Sequence, residues 1–216
     1  MSYTEIKRQG ILFCLVGPSA GGKTSMGAYL LKQFATFLSL SISATTRAPR
    51  ETEKDGIDYL FISREEFKEK IEAGLFFEWA QVHGNYYGTF RDTVTEAVNQ
   101  GKDLLLDIDL QGIKSFKEAF PDNTIVTFIA PPSVEELKKR MQQRNLTSEK
   151  ELERRLETAK SEYAQLQDLA EDGLVEYFII NDDRNLARNL IASIYQAERL
   201  RVKRMALNEI RRLCSI

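Results

Sequence analysis

The apolar run Ile11-Leu12-Phe13-Cys14-Leu15-Val16 leads directly into Gly17-Pro18-Ser19-Ala20-Gly21-Gly22-Lys23-Thr24, after which Met26, Tyr29, Leu30 and Gln33-Phe34 recur at helical spacing. Strand, glycine turn and helix in that order are the context of the loop G-x-x-x-x-G-K-[ST], whose small residues let successive backbone N–H groups point at an anion. Lys23 is then placed to reach the outer phosphates of a nucleotide. Thr24 offers a hydroxyl to Mg²⁺, and the helix N-terminus adds its partial positive charge. The plainer alternative, a strand-to-helix turn that happens to be rich in small residues, does not account for both flanks. The loop points to a nucleoside triphosphate and leaves the acceptor open.

The remaining chain alternates strands and helices. A short strand over 37–43 runs into the polar loop Ala44-Thr45-Thr46-Arg47-Ala48-Pro49-Arg50. From Glu51 to Tyr87 short strands (59–62, 76–82, 86–87) surround a helix at about 65–72 and break the longer alternation, which marks an insert. Alternation resumes with a helix over 92–99, the apolar strand Asp103 to Asp109, a helix over 113–119 and a strand over 123–130. Ser133-Val134-Glu135-Glu136 is a capping box that starts the next helix, with Arg140 and Arg144 at i, i+4. The break Asn145-Leu146-Thr147-Ser148 and the charged helix from Glu149 to about Leu169, which carries Arg154 and Arg155, read as a hinged lid. A strand over 175–180 and a helix from Leu186 to about Leu213 complete the chain. The pattern predicts one doubly wound α/β domain of about five parallel strands, with ligands at the strand C-terminal ends.

Composition narrows the function. The 216 residues carry a net charge of −2, which argues against a nucleic-acid polymer as partner, so clustered arginines are meant for a small anion. No apolar run is long enough to span a membrane, and the polar N-terminus lacks a signal-peptide pattern, so a cytoplasmic enzyme is expected. Cys14 reads as a small buried hydrophobe and Cys214 as tail.

Asp107 and Asp109, two apart on a strand, are expected to face the same side near the glycine loop, where an acid commonly orders Mg²⁺ through water. The alternative is a strand-end acid that caps a turn. Phosphoryl transfer needs charge stabilisation more than covalent chemistry, so the arginine sets Arg47/Arg50 and Arg140/Arg144/Arg155 fit clamps on the acceptor and on the transferring group. Arg154, Arg199, Arg201 and Arg204 stand in dense charge patterns and read as solvated faces. Trp79 reads as core, and His83 has no partner that would make it a base.

Taken together, the glycine loop, Thr45-Thr46-Arg47-Ala48-Pro49-Arg50, Glu78-Trp79-Ala80, Gly84-Asn85-Tyr86-Tyr87-Gly88, Asp107-Ile108-Asp109 and Asn181-Asp182-Asp183 resemble the guanylate kinases over nearly the whole chain. The resemblance implies transfer of the γ-phosphate of ATP to GMP, with dGMP as a further acceptor, in purine metabolism and GMP recycling. It implies a core (1–43, 90–139, 156–216), a GMP-binding insert (44–89) and a lid (140–155) within one domain. It implies that Gly17, Pro18, Ser19, Ala20, Gly21, Gly22, Lys23, Thr24, Ser25 and Asn181 bind ATP, with Thr24 and, through water, Asp107 at Mg²⁺. Arg47, Arg50, Tyr59 and Tyr87 would hold the GMP phosphate with Glu53 beside them. Ser43, Glu78, Thr89, Asp107 and Asp109 would lie around the rest of GMP.

Guanine presents the donors N1–H and N2–H₂ beside the acceptor O6, so a carboxylate such as Glu78 and a hydroxyl such as Ser43 or Thr89 are complementary to it. The chain departs from the family at Ala20 and Thr52, where Gly is usual, and at Ala44 and Thr89, where Ser is usual. Gly21 is the expected source of flexibility at the loop's bend. The last helix, longer and more basic than the family core needs, reads as a solvated helix or as a contact in a homo-oligomer. Two other readings are a noncatalytic module of the same fold, which would lack Lys23 or the GMP carboxylates, and a kinase for another nucleoside monophosphate, against which Glu78, Ser43 and Thr89 argue.

Overall fold

Val16 is the last residue of a strand enclosed on both faces, and the fold follows from how that strand is covered. The structure, a computed structural model, describes residues 7–82, 84–143, 149–208 and 211. β1 (Leu12–Val16) lies between β7 (Asp103–Asp107) and β8 (Thr124–Ala130), with β2 (Leu38–Leu40) outside β7 and β9 (Tyr177–Ile180) outside β8; all pairings are parallel. Along β1 the side chains alternate between two cores. Leu12, Cys14 and Val16 pack with Val94 and Val98 of α3 (Arg91–Gln100), with Ile113 and Phe116 of α4 (Gly112–Ala119), and with Leu169. Phe13 and Leu15 pack with Met26 and Leu30 of α1 (Lys23–Gln33) and with Ile191 and Tyr195 of α7 (Arg184–Arg199). A strand buried on both faces is what a near-continuous apolar run encodes.

The insert is a second sheet, ordered β4 (Leu60–Phe61), β3 (Ala44–Thr45), β6 (Asn85–Phe90), β5 (Phe76–Val82). One face is covered by α2 (Arg64–Glu72), whose Ser63 cap accepts from Glu66 N at 3.0 Å. Phe67 of α2 stacks on Phe76 and Tyr86 at 4.4 and 5.3 Å. A register irregularity between Phe76 and Glu78 turns Phe76 towards α2 and Glu78 away from it. Trp79 then lies on the α2 side but past the end of its cover. It is 47% exposed, with the Tyr86 ring tilted against it at 5.9 Å, contrary to the expectation that it is core.

Two further expectations need correction. The last helix, expected to reach Leu213, ends at Arg199, and a 3-10 turn (Val202–Arg204) follows. Beyond that end Arg204, 2% exposed, turns inward and is no solvated charge: its guanidinium donates to Asp122 O at 2.7 Å and to Glu198 Oε2 at 2.8 Å. Arg199 is also no solvated charge, since its Nε lies 3.1 Å from Asp103 and its guanidinium 3.8 Å over Phe37. Asp103, 0% exposed, also accepts from Arg8 at 2.6 Å, Tyr195 Oη at 2.7 Å and Ile11 N at 2.9 Å. Removing one partner of a buried ion cluster leaves uncompensated charge, at a cost of about 3–5 kcal/mol. Asp103→Ala is therefore expected to lower the Tm by roughly 10 °C in a chain of this size. It should leave turnover at 25 °C near wild type, because Asp103 opens β7 at the end away from the glycine loop. An unchanged melting temperature would refute this.

The described helices include none long and apolar enough to cross a membrane.

Candidate active site

The glycine loop leaves β1 through Gly17, whose φ of 128° and approach to β8 both demand glycine, since a Cβ there would lie 2.4 Å from Ile129 O. Gly22 (φ 119°) starts α1 with no side-chain cap, and a Cβ on it would meet Asn181 Nδ2 at 2.1 Å. The first turn of α1 contains no acid, so its free N–H groups and dipole face the cleft unopposed.

Between these glycines stands Ala20 at φ 66°, the only described residue other than glycine with positive φ. Gly21 was expected to provide the bend, but it stays outside that region, and Ala20 itself adopts the left-handed conformation, which costs an L-residue roughly 1–2 kcal/mol. Lys23 Nζ donates to Gly17 O and, at 3.5 Å, to Pro18 O, so the ammonium lies across the mouth of the loop.

The loop forms one wall of a cleft of about 690 Å³. Gly17, Pro18, Ser19, Ala20, Gly22, Lys23 and Thr24 line it on that side; Arg47, Arg50, Glu53, Tyr59, Glu78 and Tyr87 face it from the insert, with Ser43 just before the insert begins. Asp107 and Asp109 close the floor, and Arg154, Arg155, Thr158 and Glu162 look in from α6 (Glu149–Glu171).

Local chemistry sets the insert's geometry. Thr45 Oγ1 donates to Tyr86 O at 3.0 Å and Thr46 Oγ1 accepts from Tyr86 N at 2.9 Å, which fixes the arginine loop on β6. Glu53 then lies 2.9 Å from Arg47 and 3.6 Å from Arg50, and accepts from Arg50 N at 2.9 Å, so its role is to aim two guanidiniums. Arg47 also lies 5.6 Å over the ring of Tyr59, and Tyr59 meets Tyr87 edge-on at 6.1 Å. Burial pushes the Tyr59 hydroxyl up to about 12, so at neutral pH it remains a donor.

At the other end of the insert, Thr89 Oγ1 donates to Glu78 Oε1 at 2.7 Å and is itself buried. The Thr89 proton is thus committed to Glu78, and of the two hydroxyls expected to face a ligand, only Ser43, 3.5 Å from Thr89 Oγ1, lines the cleft. Burial pushes the Glu78 carboxyl up to about 7, with Asp109 adding to the rise and the Thr89 bond opposing it.

Strand β7 stops at Asp107, so Asp109 is past its end and accepts from Gly112 N at 3.0 Å; the pair does not share a strand, but both acids line the cleft. Asn181 lies behind the loop and donates to Gly21 O at 2.9 Å. Arg140, on α5 (Val134–Gln143), donates to Asn181 O at 3.0 Å and to Glu136 at 2.8 Å, which puts it behind Asn181 and off the cleft wall. Ser25, one residue into α1 from Thr24, is also off the wall. Arg155 donates to Ser19 Oγ at 3.1 Å. Arg144, the break 145–148, His83 and Cys214 lie outside the described residues.

A family model described as guanylate kinase matches residues 9–198. The chain belongs to the guanylate kinase family. It is 42% identical to the guanylate kinase of Bartonella henselae over 92% of this chain and 86% of that one. It is 41% identical to that of Clostridioides difficile, over 91% and 92%. The crystal structure of guanylate kinase from Anaplasma phagocytophilum superposes with a TM-score of 0.75 at 32% identity, covering 93% of this chain and 92% of that one.

For this guanylate kinase, sequence reasoning missed Glu162 and misread Arg154. Glu162 Oε2 is buried with no hydrogen-bond partner among the described residues; burial holds its carboxyl above the ordinary value, with Lys23 opposing the rise and Asp109 adding to it. Its seven-residue spacing from Arg155 puts both on one helix face, and that was the available signal. Arg154 lines the cleft while paired with Glu151 at 2.7 Å.

Proposed function

We propose that the two walls of the cleft divide ATP:GMP phosphotransfer, the activity of the family, with the glycine loop on ATP and the insert (44–89) on GMP. The observation that supports this most directly is the single cleft lined by both Lys23 and Glu78. The loop's N–H groups and Lys23 take the β- and γ-phosphates. Arg47, Arg50, Tyr59 and Tyr87 hold the GMP phosphate, and Glu78 accepts from guanine N1–H and N2–H₂ with Ser43 donating to O6. An oxygen of the GMP phosphate then bonds to the γ-phosphorus as the bond to the β,γ-bridging oxygen breaks, and ADP leaves with that electron pair. The acceptor is already an anion, so no general base is assigned; Arg155 balances charge on the transferring group.

The family generally uses Mg²⁺, and the cleft residues Thr24 and Asp107 fit it. They supply oxygen donors only, and few of them, as suits an ion that keeps its waters and takes phosphate oxygens. Bound there, the ion neutralises phosphate charge. Segments 44–89 and 140–155 close over the substrates and keep water from the γ-phosphate. The contacts assigned to GMP fall on its base and its phosphate, which dGMP shares, so dGMP is included as an acceptor. A cytosolic role in GMP recycling goes with this substrate pair.

ADP release measured with ATP, Mg²⁺ and each nucleoside monophosphate in turn tests the assignment. GMP is expected to exceed AMP and UMP by about 10⁴ in kcat/KM, because adenine leaves the Glu78 carboxylate unpaired. Equal rates with AMP would sink the division of roles.

A further inference from the structure

Ala20 holds a strained backbone conformation at the point where glycine would be free of strain, and its methyl group has a destination. The residue is 7% exposed and packs in one apolar cluster with Leu137 and Met141 of α5 and Leu152, Leu156 and Ala159 of α6. These two helices carry the described parts of segment 140–155, α5 up to residue 143 and α6 from residue 149. Among the described residues, no other residue of the loop belongs to an apolar cluster that includes α5 or α6. The loop's remaining ties in that direction are polar: Ser19 to Arg155 at 3.1 Å, and Gly21 through Asn181 to Arg140 at 2.9 and 3.0 Å.

We propose that the Ala20 side chain is a positioning element that couples the phosphate loop to the lid, so that the lid helices settle only when the loop holds its phosphate-binding shape. The argument is one of complementarity. A methyl at φ 66° opposes the loop's own preference, and it remains only because the surrounding structure over-determines it. Here the surroundings are the α5/α6 cluster, which gains contact area from the methyl. Loop bend and helix packing are thus two ends of one contact. A change at either end biases the other, without Ala20 touching a reacting atom. The inference rests on the reading of 140–155 as a lid.

The test is Ala20→Gly, with Ala20→Ser as the variant that keeps a Cβ. Glycine relieves the backbone and is not expected to unfold the protein, so a purely structural role predicts full activity with an unchanged or higher Tm. Coupling predicts that A20G lowers kcat for GMP phosphorylation about fivefold while the KM for GMP stays within about twofold. It also predicts faster ATP hydrolysis in the absence of GMP, because a loosely seated lid admits water. A20S, which keeps the Cβ, should depart from wild type less than A20G in both quantities. Wild-type kcat and hydrolysis in A20G would overturn the proposal, and so would equal losses in A20G and A20S. Arg155→Ala measured alongside separates the two readings. If R155A lowers kcat and A20G does not, only the role of Ala20 falls. If neither variant changes kcat or hydrolysis, the lid reading falls with it.

Discussion

Lys23→Ala is expected to lower kcat by at least about 10³-fold while the Kd for GMP changes by no more than about twofold, read by isothermal titration in the absence of ATP. The size of the loss follows from where charge develops. Phosphoryl transfer spreads negative charge over the γ-phosphate and the bridging oxygen, and a preorganised ammonium at that point acts in a water-poor cleft where screening is weak. GMP affinity is expected to survive because the contacts proposed for the acceptor, Arg47, Arg50, Tyr59, Tyr87 and Glu78, all lie on the insert, across the cleft from α1. The variant also removes the donor that Gly17 O and Pro18 O now accept from, but both carbonyls border the cleft, where water can replace it. Comparable losses in turnover and in GMP binding would show that the two walls do not act separately.

That separation was legible in the sequence because each wall is encoded locally. A strand, a glycine run and a helix are contiguous, and the spacing of Gly17, Gly22 and Lys23 carries the loop's geometry. Thr45-Thr46-Arg47 and Tyr86-Tyr87 are likewise short segments whose alternation dictates which side chain faces in. The misread residues depend on partners remote in sequence. Asp103 is held by Arg8, Tyr195 and Arg199, each more than ninety positions away, and nothing in the charge pattern around Arg199 or Arg204 distinguishes a buried cluster from a solvated helix. Trp79 failed because alternation assigns a face but not how far a neighbouring helix extends over it. Thr89 was placed at the ligand on residue type, yet its single proton goes to Glu78, a matter of hydrogen-bond accounting across two strands. Ala20 stood out as a departure in the letters, and its cost was legible, but the cluster that offsets the cost was not.

Glu78→Gln is expected to reduce kcat/KM for GMP by at least about 10²-fold, and to reduce the advantage of GMP over AMP. The amide keeps one acceptor for guanine and turns a donor towards the other, so one N–H is left without a partner inside a buried pocket. The same carboxyl sets a pH dependence whose sign follows from its surroundings. Burial raises Glu78 to about 7, and only the ionised form accepts from both guanine donors. Below pH 7 the KM for GMP should therefore rise by about tenfold per unit, while kcat at saturating GMP changes much less, since bound GMP favours the ionised form. In stability the sign is reversed. The native state holds this proton between its ordinary value near 4.5 and 7, where the unfolded chain has released it. Glu78 therefore contributes a penalty to folding that grows as pH rises through that window and levels off above 7. E78Q removes the ionisable group, so its melting temperature relative to wild type should increase from pH 5 to pH 8 as its activity on GMP falls. A wild-type KM for GMP that is flat from pH 5.5 to 8, together with a parallel Tm profile for the two proteins, would show that the carboxylate facing the cleft is not the group that reads guanine.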